Sequence, residues 1–250
     1  MPIESVTVGP FQVSNLTRAD IVRALVELAA TRVGLAPVIG FCLHVGGLNA
    51  QSDTEYVAAM RSADVVYADG MAIVLLAKLA HGSRVEKTST TDIGHELIDA
   101  LAEALSRPVR LGLLGGPPEL AGQAGAELSR RHKAEIVFTS HGFHTDWTPI
   151  LQRLRSADLD LLFVGLGTPK EKKWVTTYRD AIDSKLIVTC GGWMGFLVGA
   201  EVRAPVWVQR IGMEWIWRVG QAPRRLIPRY AVGAWHTATL ALELIRGRHR

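Results

Sequence analysis

The sequence contains only two cysteines, and this scarcity argues against a disulfide framework. Cys42 and Cys190 stand far apart inside apolar runs, and neither has a CxxC motif or a Cys/His cluster nearby. We therefore expect two buried thiols and no structural zinc site. The chain also lacks a run of roughly 20 apolar residues, the length needed to cross a bilayer. Residues 1–5 have neither a basic start nor an apolar run, so we expect a cytoplasmic protein.

The usual signatures of nucleotide cofactors and metal ions are missing as well. No GxGxxG motif is followed by an acidic residue about 20 positions later, which argues against a nicotinamide dehydrogenase. The eight histidines show no ligand spacing. Asp158-Leu159-Asp160 matches the DxD spelling of metal-dependent glycosyltransferases. It sits at the start of a predicted strand, however, and so lies about 17 Å from the strand's other end. We expect no cofactor and no metal site.

The positive charge is concentrated at one end of the chain. The formal net charge is +4, yet residues 203–250 hold nine arginines and only two glutamates. This imbalance predicts an anionic ligand or surface for the tail. Trp207, Trp215, Trp217 and Trp235 lie in the same region among leucines and isoleucines. Such a mixture favours a lipid interface over nucleic acid.

The order of apolar runs and helical patterns predicts an α/β fold with a Rossmann-like parallel sheet flanked by helices. Thr17 with Asp20, Asp53, and Thr91 with Asp92 are expected to begin helices. Past Gly199 the pattern changes, which predicts a domain over 1–199 and an Arg/Trp-rich helical appendage over 200–250. Pro223 and Pro228 are expected to divide that appendage into short helices. The predicted strands cover 37–45, 64–68, 109–114, 134–138, 159–165 and 185–190.

Polar and glycine-rich segments follow four of the predicted strands. Because ligands bind at the carboxyl ends of parallel strands, these segments predict one pocket. Asp69 could serve there as a general base or merely as a helix N-cap. The glycines could bring backbone N–H groups to a phosphate or simply permit tight turns. The four segments are Asp69-Gly70, Gly115-Gly116-Pro117, Gly165 to Pro169 and Gly191-Gly192.

Several motifs in order resemble the WecG/TagA/CpsF glycosyltransferases over about residues 41–230. The tail run is the most diagnostic part, since generic nucleotide-binding folds have nothing similar. The motifs are Ala63-Asp64-Val65-Val66-Tyr67-Ala68-Asp69-Gly70-Met71, the Thr91-Asp92 pair, Leu113-Leu114-Gly115-Gly116, Val164-Gly165-Leu166-Gly167-Thr168-Pro169-Lys170, and Arg203-Ala204-Pro205 with Gln209-Arg210, Glu214-Trp215, Arg218 and Pro223-Arg224-Arg225.

The resemblance implies a UDP-sugar donor of the N-acetylmannosamine type or a related hexose, and a polyprenyl-diphosphate-linked sugar as acceptor. It implies inverting, metal-independent transfer in cell-surface polysaccharide synthesis, with Asp69 as catalytic base. It also implies that the tail covers the pocket and docks on the inner face of the plasma membrane. The implied substrate-binding residues are Asn49, Gly70, Thr91, Asp92, Gly115, Gly116, Gly165, Gly167, Pro169, Glu171, Arg210, Arg218, Arg224 and Arg225.

Three departures from the family pattern leave one alternative open. Glu171 and Lys172 stand where the family usually has glutamine and glutamate, so an acceptor-only carboxylate replaces an amide. The family's Thr-x-Asn has no clear counterpart near His44. The Arg-x-Thr-Gly-x-Asp pattern is altered as well, appearing as Lys87, Ser89, Thr90 and Asp92. A non-catalytic family member that binds only nucleotide or membrane is the alternative reading.

Overall fold

The computed structural model describes residues 3–31, 36–205, 207–208 and 213–247, without the side chain of Arg225. A small antiparallel hairpin precedes the main sheet. Its strands are β1 (Ser5–Val8) and β2 (Phe11–Ser14). Alternate side chains of both strands are buried, including Phe11. The sequence analysis assigns no element here, although this alternation on either side of Gly9-Pro10 is the pattern of a hairpin.

The main sheet has six strands in the order β4-β3-β8-β7-β5-β6, and all neighbouring strands are parallel. This confirms the predicted fold class. Their side chains are mostly buried on both faces, which explains the continuous apolar runs in the sequence. The strands are β3 (Val38–Leu43), β4 (Val65–Ala68), β5 (Val109–Gly115), β6 (Ala134–Ser140), β7 (Leu159–Gly165) and β8 (Ser184–Thr189).

Helices cover both faces of the sheet and enclose two apolar cores. One core lies beneath α1, α5, α6 and α9, and the other beneath the hairpin, α2, α3, α4, α7 and α8. Asp53 begins α3 as predicted, because its carboxylate accepts the Tyr56 N–H at 3.0 Å. These helices are α1 (Arg18–Thr31), α2 (Val45–Leu48), α3 (Thr54–Arg61), α4 (Met71–Leu79), α5 (Thr90–Leu105), α6 (Leu120–Arg131), α7 (Thr148–Arg155), α8 (Lys170–Tyr178) and α9 (Trp193–Leu197).

The tail forms α10 (Glu214–Gln221) and one long helix, α11 (Pro223–Gly247). The predicted break at Pro228 is wrong, since α11 continues through it. Pro228 lies in the second turn, where a proline removes a single backbone hydrogen bond. Packing further along offsets that loss: a Cβ at Gly233 would come within 2.6 Å of Val45, and Leu240 is buried in the core beneath the hairpin.

Candidate active site

The carboxyl ends of the six parallel strands meet along one edge of the sheet, here called the rim. Leu43 of β3 pairs with Ala68 of β4, so His44 and Asp69 follow two adjacent strands. The Asp69 N–H donates to the Leu43 carbonyl at 2.7 Å and fixes the backbone at this point. In the sheet, β4 lies on one side of β3, and the other four strands lie on the opposite side. Such a reversal of strand order opens a crevice that suits a ligand.

The Asp69 carboxylate makes no hydrogen bond or ion pair with the described part of the chain, although it is partly buried. Gly70 holds the N-cap position of α4, without a side-chain cap, so Asp69 does not cap that helix. Burial raises the pKa of Asp69 to about 6, while Arg218 and Lys87 lower it and Glu214 raises it. The group is therefore ionised at neutral pH and free to accept a proton.

Lys87 and Arg218 act electrostatically on Asp69, Arg203 pairs with Asp92, and carboxylates bind all three cations. Lys87 Nζ lies 3.0 Å from Glu214 Oε2. Arg203 pairs with Asp92, and its Nε lies 3.7 Å from Glu214 Oε1. The Ser89 hydroxyl donates to Asp92 at 2.8 Å, so both oxygens of Asp92 are engaged. Asp92 thus anchors Arg203 and Ser89, an arrangement that the sequence alone did not indicate.

Arg218 is the third cation, and it borders a cavity of about 190 Å³ between α9 and the tail helices. Its guanidinium lies 3.9 Å from Glu201 and 5.5 Å from the centre of the Phe196 ring. The ion pair with Glu201 is loose at this distance and half-exposed, so it binds Arg218 weakly. A stronger anion entering the cavity can therefore displace Glu201.

The glycines at the rim permit close packing of the strand ends. A Cβ at Gly115 would lie 2.3 Å from the Gly165 carbonyl oxygen, and one at Gly165 would lie 2.7 Å from that of Gly191. The Gly116 N–H donates to Gly165 at 3.3 Å. The Gly167 N–H donates to the Glu171 carboxylate at 3.1 Å. Neither N–H group is free for a phosphate in this conformation.

Glu171 is buried and points back into the protein. Its carboxylate accepts the Thr168 hydroxyl at 3.3 Å and forms an ion pair with the fully buried Lys172. Lys172 also donates to Thr168 at 3.0 Å, while Pro169 occupies the N-cap position of α8. The departure from the family pattern at these two positions therefore creates an internal ion pair that ties down the Gly167 loop.

His44 is a rim residue that the sequence analysis noted without assigning a role. Its Nε2 lies 3.1 Å from the Thr168 hydroxyl, and its Nδ1 accepts the Gly47 N–H at 3.1 Å. Arg229 of α11 reaches the same ring at 3.2 Å. Burial, together with nearby cations that include Lys172, lowers the pKa of His44 well below its usual value. A neutral imidazole therefore links the centre of the rim to the tail.

The remaining predicted residues have mixed positions. Asn49 ends α2 and donates to the Arg229 carbonyl at 2.9 Å, so it anchors α11. Thr91 lies half-buried in the first turn of α5. Arg224 is exposed, whereas Arg210 and the side chain of Arg225 lie outside the described residues. Arg229, which was not predicted, contacts the centre of the rim through His44.

An exposed aromatic side chain lies at the far end of the rim, after β6. Phe143 is 72% exposed and follows Gly142, whose N–H donates to the Gly116 carbonyl at 2.8 Å. His141 and His144 stack beside it with ring centres 4.0 Å apart. A flat apolar ring in this place can stack on a planar base. The sequence analysis did not name Phe143, although an aromatic residue between two histidines directly after a strand could have indicated it.

The DxD sequence lies at the amino ends of the strands, opposite the rim, and its buried carboxylate is paired with basic side chains. Asp160 is buried and pairs with Arg107 at 2.6 Å and with Lys185. Its carboxylate also accepts the Arg110 N–H at 2.9 Å. Across the described residues, no three histidine, cysteine or acidic side chains are grouped to hold a metal ion. Cys42 and Cys190 are free, buried thiols, as predicted.

Comparison with known proteins agrees with this geometry. The model of the WecG/TagA/CpsF glycosyl transferase family matches residues 6–250. A Bacillus subtilis (strain 168) protein, N-acetylglucosaminyldiphosphoundecaprenol N-acetyl-beta-D-mannosaminyltransferase, is 26% identical over 186 residues, which are 72% of each chain. Together with the parallel sheet and its rim, the match over nearly the whole sequence means that the chain belongs to the WecG/TagA/CpsF family and is a glycosyltransferase.

Proposed function

We propose that this enzyme transfers an N-acetylmannosamine-type sugar, or a related hexose, from a UDP-sugar to a sugar carried on a polyprenyl diphosphate. The observation that carries the proposal is the ionisable carboxylate of Asp69, which has no hydrogen-bond or ion-pair partner among the described residues, on a rim that also carries Lys87, Arg203 and Arg218. The name of the Bacillus subtilis relative supports both the sugar and the lipid carrier.

In the proposed reaction, Asp69 accepts the proton of the acceptor hydroxyl as its oxygen attacks the anomeric carbon of the donor. The bond between that carbon and the diphosphate oxygen breaks, and UDP leaves with the electron pair. A single displacement of this kind inverts the anomeric configuration. With a pKa of about 6, Asp69 is mostly ionised at neutral pH yet remains a better base than an ordinary carboxylate.

We assign the donor diphosphate to side-chain cations at the rim. The N–H groups of Gly116 and Gly167 are engaged within the protein, which weakens the expected binding at helix N-termini. Arg203 and Arg218 carry planar guanidinium groups suited to paired phosphate oxygens. A diphosphate would displace the loose contact between Glu201 and Arg218 and take its place. The expected metal independence rests on this supply of positive charge at the rim.

The nucleotide preference is tested by thermal unfolding of the purified protein with UDP or NAD. A ligand at about 100 times its dissociation constant stabilises the folded state by about 2.7 kcal/mol. For a chain of this length, UDP is expected to raise the melting temperature by about 5–10 °C. NAD is expected to have no effect. A shift with NAD and none with UDP would contradict the assignment of the rim.

We propose further that residues 200–250 cover the pocket and dock the enzyme on the inner face of the plasma membrane. Within the described ranges, every helix falls short of a bilayer-crossing segment in length or in apolar character. Large apolar side chains nevertheless stay exposed on α4, α10 and α11, and exposed arginines flank them on α11. Such a surface suits an anionic interface. The exposed apolar residues include Met71, Leu75, Trp215, Ile216, Ile227, Trp235, Leu242 and Ile245.

Membrane docking is tested by flotation with liposomes that contain phosphatidylglycerol. The wild-type protein is expected to float, and to float less as salt rises, because screening acts over about 8 Å at physiological ionic strength. W235A is expected to weaken partitioning roughly tenfold by removing one apolar anchor. F143A is the matched control, because both rings are 72% exposed but Phe143 lies outside the tail. Equal loss in both variants, or none in W235A, would contradict tail docking.

A further inference from the structure

Glu214, the first residue of α10, connects the tail to the core. It is one of only two acidic residues in 203–250, the other being Glu243. Its carboxylate lies 3.0 Å from the Lys87 ammonium, and both side chains are about three-quarters buried. Because partial burial reduces the screening of this ion pair, it contributes more stabilisation than an ordinary surface ion pair.

The contact extends into a chain of four charged groups. Arg203 lies between Glu214 and Asp92, and the Ser89 hydroxyl holds Asp92 in turn. These residues come from the connection before α5, the first turn of α5, the segment after α9 and the first turn of α10. Glu214 is the only one of the four charged groups that α10 contributes. Removing it leaves Lys87 without an ion-pair partner among the described residues.

The same ion pair places one charge of each sign beside Asp69. Glu214 raises the pKa of Asp69 and Lys87 lowers it, so the two oppose each other. Burial remains the largest influence on that pKa. Asp69 also interacts electrostatically with Arg218 of α10, Asp92 of α5, Tyr230 of α11, and the buried Cys42 and Tyr67 of the sheet.

We propose that Glu214 is a positioning residue that closes α10 over the rim through Lys87 and Arg203 and fixes the balance of charge around the base. The inference rests on the proposed role of Asp69. It follows that opening of α10 changes the basicity of Asp69 as well as access to it.

The pH dependence of kcat/KM separates this role from simple loss of structure. Wild-type activity is expected to fall on the acid side near pH 6, as Asp69 becomes protonated. E214Q removes a negative charge, so its acid limb is expected about 0.5–1 pH unit lower. K87M removes a positive charge, so its limb is expected higher by a similar amount. Both variants loosen α10, and loosening alone would not move the two limbs in opposite directions.

E243Q is the matched control, since Glu243 is the tail's other carboxylate and is exposed. Its profile is expected to coincide with that of the wild type. Limbs that stay in place in E214Q and K87M, while D69N is inactive, would overturn the positioning role and leave Asp69 as the base. A D69N variant with normal activity would instead overturn the proposed base, and the role of Glu214 with it.

Discussion

The D69N variant is expected to lose roughly 10²–10⁴-fold in kcat, the usual contribution of a positioned general base. The amide cannot accept the hydroxyl proton, but it has almost the same size and shape. Because the Asp69 carboxylate has no hydrogen-bond or ion-pair partner in the described structure, its replacement removes no structural contact. Thermal stability and UDP binding should therefore stay near wild-type values. Single-turnover kinetics with a lipid-linked acceptor measure the effect.

D183N is the control for this experiment, because Asp183 is an exposed carboxylate just before β8, at the amino edge of the sheet. It is expected to have the wild-type rate. D69E provides a second comparison, since it keeps the carboxylate but moves it by one methylene. A rate for D69N within about threefold of wild type would mean that another group accepts the proton, well below the loss expected of a general base.

The R218A variant is expected to lose about 10- to 100-fold in kcat/KM. Removal of a charge-assisted hydrogen bond to a phosphate costs about 1.5–3 kcal/mol, and each 1.4 kcal/mol is a factor of ten in rate. Arg218 acts on Asp69 and lines the cavity beside the rim, so its guanidinium is placed to meet the leaving diphosphate. The kcat/KM of R218K should lie between those of R218A and the wild type, because an ammonium retains charge without the planar pair of donors.

Two further variants locate the source of the R218A loss. E201Q removes the partner of Arg218 without removing the arginine and is expected to keep most activity. R246A removes an exposed arginine near the end of α11 and is expected to have the wild-type rate on soluble acceptor analogues. If R246A loses as much as R218A, the tail arginines act through general charge, and the specific role of Arg218 is wrong.

The main sheet could be predicted because buried parallel strands are continuous apolar runs with sharp ends. All six strands agree with the predicted ones to within two residues at either end. The hairpin was missed because its strands have four residues each, too few for a strong periodic signal. The continuity of α11 through Pro228 was missed because it depends on packing against α2 and α4, which no local pattern records.

The site could be predicted only in part. The place of Asp69 directly after a strand was predicted and agrees with the register of β3 and β4, whereas its role as a base came from the family resemblance and stays a prediction. The contact between His44 and Arg229 joins residues 185 positions apart and depends on where α11 packs. Likewise, the sequence could not decide whether the glycine N–H groups face a ligand or a neighbouring strand. That choice follows from strand order, which places Gly115 beside Gly165 and Gly165 beside Gly191.

The most direct measurement is transfer by the purified full chain from UDP-N-acetylmannosamine to a polyprenyl-diphosphate N-acetylglucosamine acceptor, with EDTA present. The proposed function predicts equal amounts of UDP and disaccharide lipid, an inverted anomeric linkage, and loss of both products in D69N. UDP binding without transfer from this donor or from any other UDP-hexose would contradict the proposed function. Transfer that requires added magnesium or manganese would contradict the metal-independent mechanism, and normal transfer by D69N would contradict the assignment of the base.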